Sequence, residues 1–583
     1  MPTSPIEGNS LLAIDIGAVN TRAAFFDVIE GGYRFIGIGQ SPTTSNAPVR
    51  NAMIGVQLAI ENLQAMIGKS LMDDDGHLII PSQPDGVGVD SMVTSISVGP
   101  VIKTIIVGLL PDVSLKSIEK LARTTYTHVV DSLQLNDPRR ADEQVDAIVR
   151  YSPELVLIAG GVNGGATSSI QKLLEIIGLG IYLLPEAKRP AVLFAGNTEL
   201  ARDVQVSLDN IASSIYVSPN IRPTLDVEDL VPAQHQLSNM VINIRQQQMP
   251  ELDEIRTLSG GTLVSSSYAQ GRMVRFLAGY FGSGKGVLSF DIGASAISIG
   301  ASFGGDLHLN VFPQLGLGEP LSALLQYTTL DDIVRWLPVD LSAETVRNYI
   351  YQKSLFPTAI PATKDELIIE QAILRQNLVL ATNWMLQRLP GRLRLRNGLL
   401  PSFEPIIAGG AAINGAANPG QKLLILLDGL QPAGITTIAL DQNNLLAMLG
   451  TIAEVNSILP VQVIDSGVLS YLATVVSPIS DVEYGTPIVH AKLIYDDGTE
   501  KTSEIVMGSL QVLPLENRQT ARLQLRPLKR TDVGLGPGRA GEVEVIGSSI
   551  GVVIDARGRP LRLPADPGER RDLAKKWRAI MGD

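Results

Sequence analysis

The sequence predicts an α/β protein that contains a duplicated half and ends in a region rich in β-strands. Three observations support this. An acid-and-glycine turn occurs twice, helical segments alternate with apolar strands in the first part of the chain, and short β-type runs dominate after about residue 458. The chain has 583 residues, which is enough for several compact cores.

Composition narrows the classes of function. Hydrophobic residues make up 45% and charged residues 18%, a globular balance, and the net charge of -12 argues against a protein that coats nucleic acid. The chain has no cysteine, which excludes disulfides, thiolate nucleophiles and cysteine-ligated metals. None of the five histidines has the i, i+4 spacing of a helical metal pair.

The N-terminal stretch MPTSPIEGNSLLAIDIG has no basic region before its apolar residues and does not resemble a signal peptide. No apolar run approaches the roughly 20 residues that span a bilayer. The expectation is a cytoplasmic protein without a membrane span.

The duplicated turn is the main functional signal. LLAIDIGAVNTRAAFF begins at Leu11 and VLSFDIGASAISIGASF begins at Val287; each is an apolar strand, Asp-Ile-Gly-Ala and a second β-rich run, the pattern of a hairpin. Glycine lets a phosphate approach the backbone closely. A carboxylate would repel a phosphate directly, so Asp15 and Asp291 are interpreted as residues that hold a hydrated magnesium ion.

A second similarity follows each copy of the turn. Residues 154–178 and 404–429 both read as a buried strand, Ala-Gly-Gly, a loop with Asn-Gly and a helix carrying Gln-Lys-Leu-Leu. Repetition of supersecondary units on this scale predicts two related domains.

A competing phosphate motif lies at Gly279 to Lys285, which fits the spacing G-x-x-x-x-G-K. A phosphate-cradling loop of that type needs a helix whose first turn supplies Ser or Thr. In this chain Gly286 and the strand-like VLSFDIG follow Lys285. The segment is therefore interpreted as a loop that enters a buried strand.

The order and spacing of these segments resemble the actin, sugar-kinase and chaperone ATPase superfamily, in which two ribonuclease-H-like domains face each other across a nucleotide cleft. In more detail, the chain resembles the MutL (GlmL) accessory proteins of adenosylcobalamin-dependent glutamate mutase over roughly residues 10–460. With the resemblance, the predicted organisation is a first actin-like ATPase domain (1–210), an interdomain crossover (211–280), a second actin-like ATPase domain (281–458) and a β-rich domain with a terminal helix (459–583).

The resemblance implies ATP and Mg²⁺ as ligands, with Asp15 and Asp291 as the residues that approach the metal. Applied residue by residue, it predicts a nucleotide-binding set from the first turn, the second turn and an adenosine-binding element: Asp15, Gly17, Thr21, Arg22, Asp291, Gly293, Ser295, Gly409, Gly410 and Asn414. Arg22 is chemically suited to phosphate contacts.

The second turn departs from the family pattern, which resembles D-x-G-G-A-T-T-D. Ala296 stands in place of the Thr and Ser298 in place of the second Asp. A serine hydroxyl is a poor general base near neutral pH, and an alanine methyl cannot position water. Binding without efficient hydrolysis is therefore expected. Asp441 is interpreted as a helix cap, not a catalyst.

Local patterns predict further elements. Helices are expected near 50–68, over 114–133 and over 139–153, with one helix in the crossover stretch 205–255. The C-terminal region is expected to hold roughly seven strands and a final helix. Its basic residues are interpreted mainly as solvated surface: Arg518, Arg522, Arg526, Lys529, Arg530, Arg539, Arg557, Arg559 and Arg562.

Three functions remain open from the sequence. The first is a nucleotide-binding switch protein that acts on a protein partner, by resemblance a cobalamin-dependent mutase. The second is a non-catalytic actin-like scaffold or assembly protein that works through protein–protein contacts, which Ala296 and Ser298 also favour. A small-molecule kinase ranks last because no substrate-side acid is evident.

Overall fold

The computed structural model describes residues 9–282, 284–395 and 398–582, apart from the side chain of residue 392. The chain divides into two compact units. The first comprises the chain up to Gln270 together with Leu309–Pro313 and Ala447–Gln462; the second comprises Gly271–His308, Gln314–Leu446 and the chain from Val463 onward.

Ten strands and eight α-helices precede residue 282 in the described part of the chain. The strands are β1 Leu11–Ile16, β2 Asn20–Ile29, β3 Gly32–Pro42, β4 Ser91–Ile96, β5 Ile102–Gly108, β6 Thr127–Gln134, β7 Leu155–Ile158, β8 Ala191–Phe194, β9 Ser214–Val217 and β10 Leu263–Ser265. The helices are α1 Ala52–Ile67, α2 Lys116–Ala122, α3 Ala141–Tyr151, α4 Ser168–Tyr182, α5 Ala201–Leu208, α6 Val231–Gln248, α7 Leu252–Leu258 and α8 Ser266–Phe281.

The remaining elements follow residue 284. The strands are β11 Val287–Ile292, β12 Ile297–Phe303, β13 Asp306–Phe312, β14 Ile406–Gly409, β15 Gly434–Asp441, β16 Ser470–Ser477, β17 Pro487–Tyr495, β18 Glu500–Val506, β19 Leu510–Leu513, β20 Thr520–Pro527, β21 Gly541–Ile546 and β22 Gly551–Asp555. The helices are α9 Leu330–Val334, α10 Ala343–Leu355, α11 Lys364–Arg388, α12 Ala411–Asn414, α13 Pro419–Leu430, α14 Leu445–Ile452, α15 Ile458–Asp465 and α16 Pro567–Ile580.

The first unit contains a sheet in the order β3-β2-β1-β4-β10. Strands β1, β2 and β3 are antiparallel neighbours, whereas β4 runs parallel to β1 and β10 parallel to β4. Helices α1 and α7 cover one face, where residues such as Ile14, Phe25, Ile60 and Leu252 form a buried core. This arrangement sets the ends of β1, β4 and β10 side by side.

A second sheet repeats this arrangement. Its order begins β13-β12-β11-β14-β15, with β11 antiparallel to β12 and parallel to β14, and β14 parallel to β15. Both sheets are therefore of the ribonuclease-H-like type, and the predicted duplication is confirmed in the structure.

The C-terminal region is rich in β-strands, as predicted, and strands β16 to β22 lie in two sheets. Strands β16, β22 and β19 extend the second ribonuclease-H-like sheet, since β16 pairs antiparallel with β15. The other strands form an antiparallel sheet in the order β18-β17-β20-β21, and residues such as Ile488, Leu493, Leu523 and Val552 share one core. The predicted final helix is α16.

A separate parallel sheet lies between β4 and β10 in the chain. Its order is β6-β5-β7-β8-β9, and every pair is parallel. Buried residues of α2 and α6 share one core with it, and those of α3, α4 and α5 share another, as in a doubly wound fold. The fifth strand of the first sheet, β10, thus falls within the range 211–280 that the sequence analysis interprets as a crossover.

This sheet corrects one sequence interpretation. The strand of the 154–178 segment is β7, which belongs to the separate parallel sheet, whereas that of the 404–429 segment is β14, the fourth strand of the second ribonuclease-H-like sheet. The position of β14 is filled in the first unit by β4. A strand, glycines and a helix recur in many α/β connections, so this similarity was local and did not mark equivalent positions.

Some of the other predicted helices are confirmed by the structure, and one is wrong in part. The helices near 50–68 and 139–153 are present as α1 and α3. The helix predicted over 114–133 is wrong in its second half, because α2 ends at Ala122 and Thr127–Gln134 is strand β6. The run THVVDSL holds β-branched residues that suit a strand, and pairing with β5 decides its conformation. The stretch 205–255 also holds β9 and the start of α7 besides α6.

Two residues of the basic C-terminal set are not on the surface. Arg557 and Arg559 are buried, and both donate hydrogen bonds to Asp555. Charge compensation by a carboxylate explains how these arginines can lie in the interior. Among the described helices, none combines the length and the apolar character that crossing a bilayer requires.

Candidate functional site

The first turn, residues 15–22, joins β1 to β2. In this hairpin Asp15 pairs with Arg22, so both side chains project from the same face of the sheet. The amide of Gly17 donates to the Asn20 carbonyl at 3.0 Å. A Cβ on residue 17 would lie 2.8 Å from that carbonyl oxygen, so this tight turn requires glycine.

The carboxylate of Asp15 is buried and held by two hydroxyl groups. Ser95 Oγ donates to Asp15 Oδ1 at 2.7 Å, and Ser266 Oγ donates to the same oxygen at 2.9 Å. The other oxygen, Oδ2, lies 3.7 Å from Arg22 Nη1. Two hydrogen bonds to one oxygen and a cation near the other fix the orientation of this carboxylate.

Sequence reasoning missed Ser95 and Ser266. Ser95 lies on β4 directly beside Asp15 in the parallel register, and Ser266 is the first residue of α8, immediately after β10. The only signal available in the sequence was a polar residue near the end of an apolar strand. The sequence did not show which strand would lie beside β1.

Thr21 is placed differently from Asp15 and Arg22. It pairs with Ile16, so its side chain lies on the opposite face, where it is fully buried. Its hydroxyl is 2.9 Å from that of Thr43, and Thr43 Oγ1 donates to the Gly17 carbonyl at 2.8 Å. In this position Thr21 supports the turn from behind.

The second turn, residues 291–298, has the same construction. Asp291 pairs with Ser298, and the Gly293 amide donates to the Ala296 carbonyl at 3.0 Å. Asp291 and Ser295 are half-buried, while Ala296 and Ser298 are buried. The two turns thus share strand register and turn hydrogen bond, and differ in having Ser298 where the first turn has Arg22.

The parallel register of the second unit sets Asp291, Gly409 and Asp441 in a row across β11, β14 and β15. Gly410 follows with φ 105, a conformation that favours glycine, and a Cβ there would lie 2.2 Å from the Ile292 carbonyl oxygen. The second turn and the glycines predicted for adenosine therefore lie on one edge of the same sheet.

Asn414 and Asp441 belong to this edge. Asn414 Nδ2 donates to the carbonyl oxygens of Asp441 and Gln442, each at 3.0 Å. Its Oδ1 is buried and, within the described residues, has no hydrogen-bond partner. Asp441 accepts from the amides of Leu445 and Leu446 at 2.8 Å, so it caps α14, although it lies four residues before the first helical residue and not at the predicted N-cap position.

The competing motif at Gly279–Lys285 leads into a strand, as predicted. Ser283 lies outside the described residues. Lys285 Nζ donates to the Ile435 carbonyl at 3.1 Å, and β11 begins at Val287. A helix that could receive a phosphate does not follow this loop.

The family assignment comes from sequence comparison. A sequence profile described as MutL protein matches residues 11–468, most of the chain. The chain belongs to the MutL family. This agrees with the resemblance drawn from the duplicated turns. Among curated proteins, no sequence matches this MutL-family chain.

Solved structures show weak overall likeness to the MutL-family chain. Nucleotide-free acetone carboxylase has 11% identity, a TM-score of 0.31 and coverage of 86% of this chain and 81% of its own. Nucleotide-free diol dehydratase-reactivating factor has 11% identity, a TM-score of 0.31 and coverage of 77% and 99%. Component A of Acidaminococcus fermentans (R)-2-hydroxyglutaryl-CoA dehydratase has 8% identity, a TM-score of 0.23 and coverage of 76% and 96%.

Proposed function

We propose that this protein binds magnesium–ATP and uses the bound nucleotide to act on a partner enzyme, by family resemblance an adenosylcobalamin-dependent mutase that it reactivates. The observation that carries the proposal is the repeated turn in a MutL-family chain. In both copies a strand ends in Asp-Ile-Gly-Ala, and the glycine amide donates to a carbonyl three residues later at 3.0 Å. The same phosphate-compatible turn thus occurs in each of the two units.

In the first turn we assign the phosphate contacts to Gly17 and Arg22 and the approach to hydrated Mg²⁺ to Asp15. The side chains of Asp15 and Arg22 share a face, which suits a metal-bound phosphate that meets a carboxylate and a cation together. Ser95 and Ser266 fix Asp15 Oδ1 and leave Oδ2 toward Arg22. Thr21 has a supporting role in this turn, since it lies behind it.

In the second unit we assign Gly293 and Ser295 to phosphate and Asp291 to hydrated Mg²⁺. Gly409 and Gly410 would admit the nucleoside to the backbone, and the unpartnered Oδ1 of Asn414 is a fitting acceptor for an amino or hydroxyl group. An orphaned buried acceptor beside two glycines is what a nucleoside-binding edge is expected to show. Magnesium–ATP, when bound, would supply a phosphate charge that Arg22 would offset.

Hydrolysis is proposed to be slow or lost. Ser298 is the side chain that pairs with Asp291, and its hydroxyl is too weak a base to activate water near neutral pH. Asp441, the other carboxylate on this edge, accepts from a backbone amide on each of its oxygens. Neither residue is suited to take a proton from water.

Ala296 and Ser298, which depart from the family pattern, also favour a second candidate. This candidate is a non-catalytic actin-like scaffold or assembly protein that acts through protein–protein contacts. The candidates differ in nucleotide binding. A scaffold that has lost its ligand would show no response to magnesium–ATP.

Isothermal titration calorimetry with magnesium–ATP, together with a phosphate-release assay, tests the proposal. We expect saturable binding, little phosphate release, and an affinity about ten-fold or more lower in Asp15→Ala, since a charge-assisted contact is lost. Asp27→Ala, at the far end of β2, is the matched control and should bind normally. If the wild type does not bind magnesium–ATP, the scaffold candidate is the one that remains. Phosphate release at the rate of an ordinary sugar kinase would contradict the proposed loss of hydrolysis. Recovery of mutase activity after inactivation, with and without ATP, tests the partner.

A further inference from the structure

The second unit contains a buried chain of alternating arginine and aspartate side chains. Arg375 Nε donates to Asp428 Oδ2 at 2.8 Å, and Arg557 Nη1 donates to Asp428 Oδ1 at 2.7 Å. Arg557 Nε donates to Asp555 Oδ1 at 2.8 Å, and Arg559 Nη2 donates to Asp555 Oδ2 at 2.7 Å. Three guanidinium groups thus share two carboxylates, which leaves one positive charge in excess in the interior.

One end of this chain faces a crevice formed by α11, α13, α16 and the residues after α9, which we call the arginine crevice. Asp428 is the one acidic residue that lines it. Four arginines also line it: Arg335, Arg375, Arg570 and Arg578. Asp428 is already bonded to two guanidinium groups of the buried chain. The lining therefore carries considerably more positive than negative charge.

Arg335 has hydrogen-bonding capacity left over. Its Nη2 donates to Gln376 Oε1 at 3.2 Å and its Nη1 lies 3.5 Å from Asp332 Oδ1. Its Nε is buried and, in the part of the chain that the structure describes, has no partner. Burial lowers the pKa of Arg335, Asp332 opposes this, and nearby Arg570 lowers the pKa further. An anion in the crevice would relieve this repulsion.

The same electrostatic situation applies to Arg375. Burial lowers its pKa against the effect of Asp428, and nearby Arg578 and Arg557 lower it too. Arginines from different elements are thus close enough to repel one another. Their guanidinium forks match oxyanions, which they bind through paired hydrogen bonds.

The size of the crevice limits its occupant. Its free volume of about 20 Å³ for water-sized groups leaves no room for a nucleotide inside it. A single oxyanionic group that enters from the open side is the class of ligand that combines this size with the required charge.

We propose that the arginine crevice binds a small oxyanionic group, a phosphate or a carboxylate, and that this ligand fastens the C-terminal helix α16 to α11 and α13. Arg570 and Arg578 lie on α16 and Arg375 lies on α11, so one anion contacts both. A ligand that binds only the folded state stabilises it by RT ln(1 + [L]/Kd), so Tm continues to rise as the ligand concentration exceeds Kd. This site is independent of the proposed nucleotide site.

Tryptophan fluorescence can report on binding in the arginine crevice. Trp336 and Trp577 line it, whereas the third tryptophan of the chain, Trp384, contacts Tyr327. The full-length protein is titrated with sodium phosphate, sodium acetate or sodium chloride at equal ionic strength, and tryptophan fluorescence and Tm are followed. We expect a saturable fluorescence change and a continuing rise in Tm with phosphate, acetate or both, and the responding salt identifies the group.

The variants Arg578→Gln and Arg335→Gln should lower the affinity for the responding anion about ten-fold or more, because each variant loses a charge-assisted hydrogen bond. Arg571→Gln is the matched control, since Arg571 lies on the same helix but pairs outside the crevice with Asp340 at 3.0 Å. Asp27→Ala, which lies outside both proposed sites, should keep the full response. An equal effect of chloride, no saturable effect of any salt, or an unchanged response in both crevice variants would overturn the proposal. If Arg578→Gln does not fold, Arg335→Gln alone decides.

Discussion

Ser266 Oγ donates a 2.9 Å hydrogen bond to Asp15 Oδ1 across 251 residues of sequence. The bond exists because β10, the fifth strand of the first sheet, ends beside β4 and passes directly into α8. Together with Ser95, Ser266 orients the carboxylate to which we assign the magnesium contact. The long parallel-sheet insertion between β4 and β10 leaves this arrangement intact.

Removing the Ser266 hydroxyl should weaken magnesium–ATP binding without unfolding the protein. We expect Ser266→Ala to lower affinity several-fold, which is less than the full cost of one hydrogen bond to a charged group, because Asp15 keeps Ser95 and loses only part of its orientation. Ser266→Thr retains the hydroxyl and should bind close to normally. Calorimetry gives the affinity and thermal unfolding monitors the fold. Equal affinities for wild type and Ser266→Ala would show that this hydroxyl does not matter for binding.

Gly409 and Gly410 form a matched pair for separating fold from binding. Gly410→Ala places a Cβ 2.2 Å from the Ile292 carbonyl oxygen at φ 105, and it should cost about 3 kcal/mol or more of stability. At Gly409 an added Cβ only makes ordinary contacts at 3.5 Å with Asn444 and Asp441, so that variant should remain folded. If Gly409 faces the nucleoside, Gly409→Ala should still lower ATP affinity. Urea unfolding and calorimetry measure the two effects; a stable Gly410→Ala would contradict the steric argument.

Restoring the missing polar residues of the second turn should raise hydrolysis. The double variant Ala296→Thr, Ser298→Asp supplies a hydroxyl and a carboxylate that can position and deprotonate water. We expect phosphate release above the wild-type rate, at some cost in stability because both positions are buried. Ser322→Ala, an exposed change, serves as control. If the double variant releases phosphate no faster than the wild type, Ala296 and Ser298 are not the cause of slow hydrolysis.

The Asp555 carboxylate should make stability depend on acid pH. Although burial acts in the opposite direction, Arg557 and Arg559 hold the pKa of Asp555 well below its usual range. Because the folded pKa is depressed, the stabilisation is complete above the ordinary aspartate pKa and is lost as the pH falls below it. Asp555→Asn should lose about 3–5 kcal/mol near neutral pH by leaving two buried arginines without their carboxylate.

The comparison of urea unfolding at neutral and acid pH measures this effect. The difference between wild type and Asp555→Asn should shrink as the pH is lowered below about 4, where the wild-type carboxylate begins to lose its advantage. Asp497→Asn, at an exposed turn, is a control with little expected effect at neutral pH. A difference that stays constant with pH would mean that Asp555 acts by packing and not by charge.

The sequence alone determined the duplicated turn and its surroundings. Apolar alternation, the acid at the strand end and the glycine after it are local features, and they correctly predicted two strand–turn–strand copies. The family resemblance rested on the same segments. Asp441 as a helix cap and the strand after Lys285 also followed from short-range rules, because caps and turns use groups only a few residues apart.

The tertiary structure decided which segments became neighbours. It placed β7 in a separate parallel sheet and β4 beside β1, turned part of a predicted helix into β6, and buried Arg557 and Arg559 against Asp555. It also brought Ser95 and Ser266 to Asp15 and set Thr21 on the opposite face. These outcomes depend on strand pairing and charge compensation between residues far apart in the chain, and such contacts leave no periodic or local signal in the sequence.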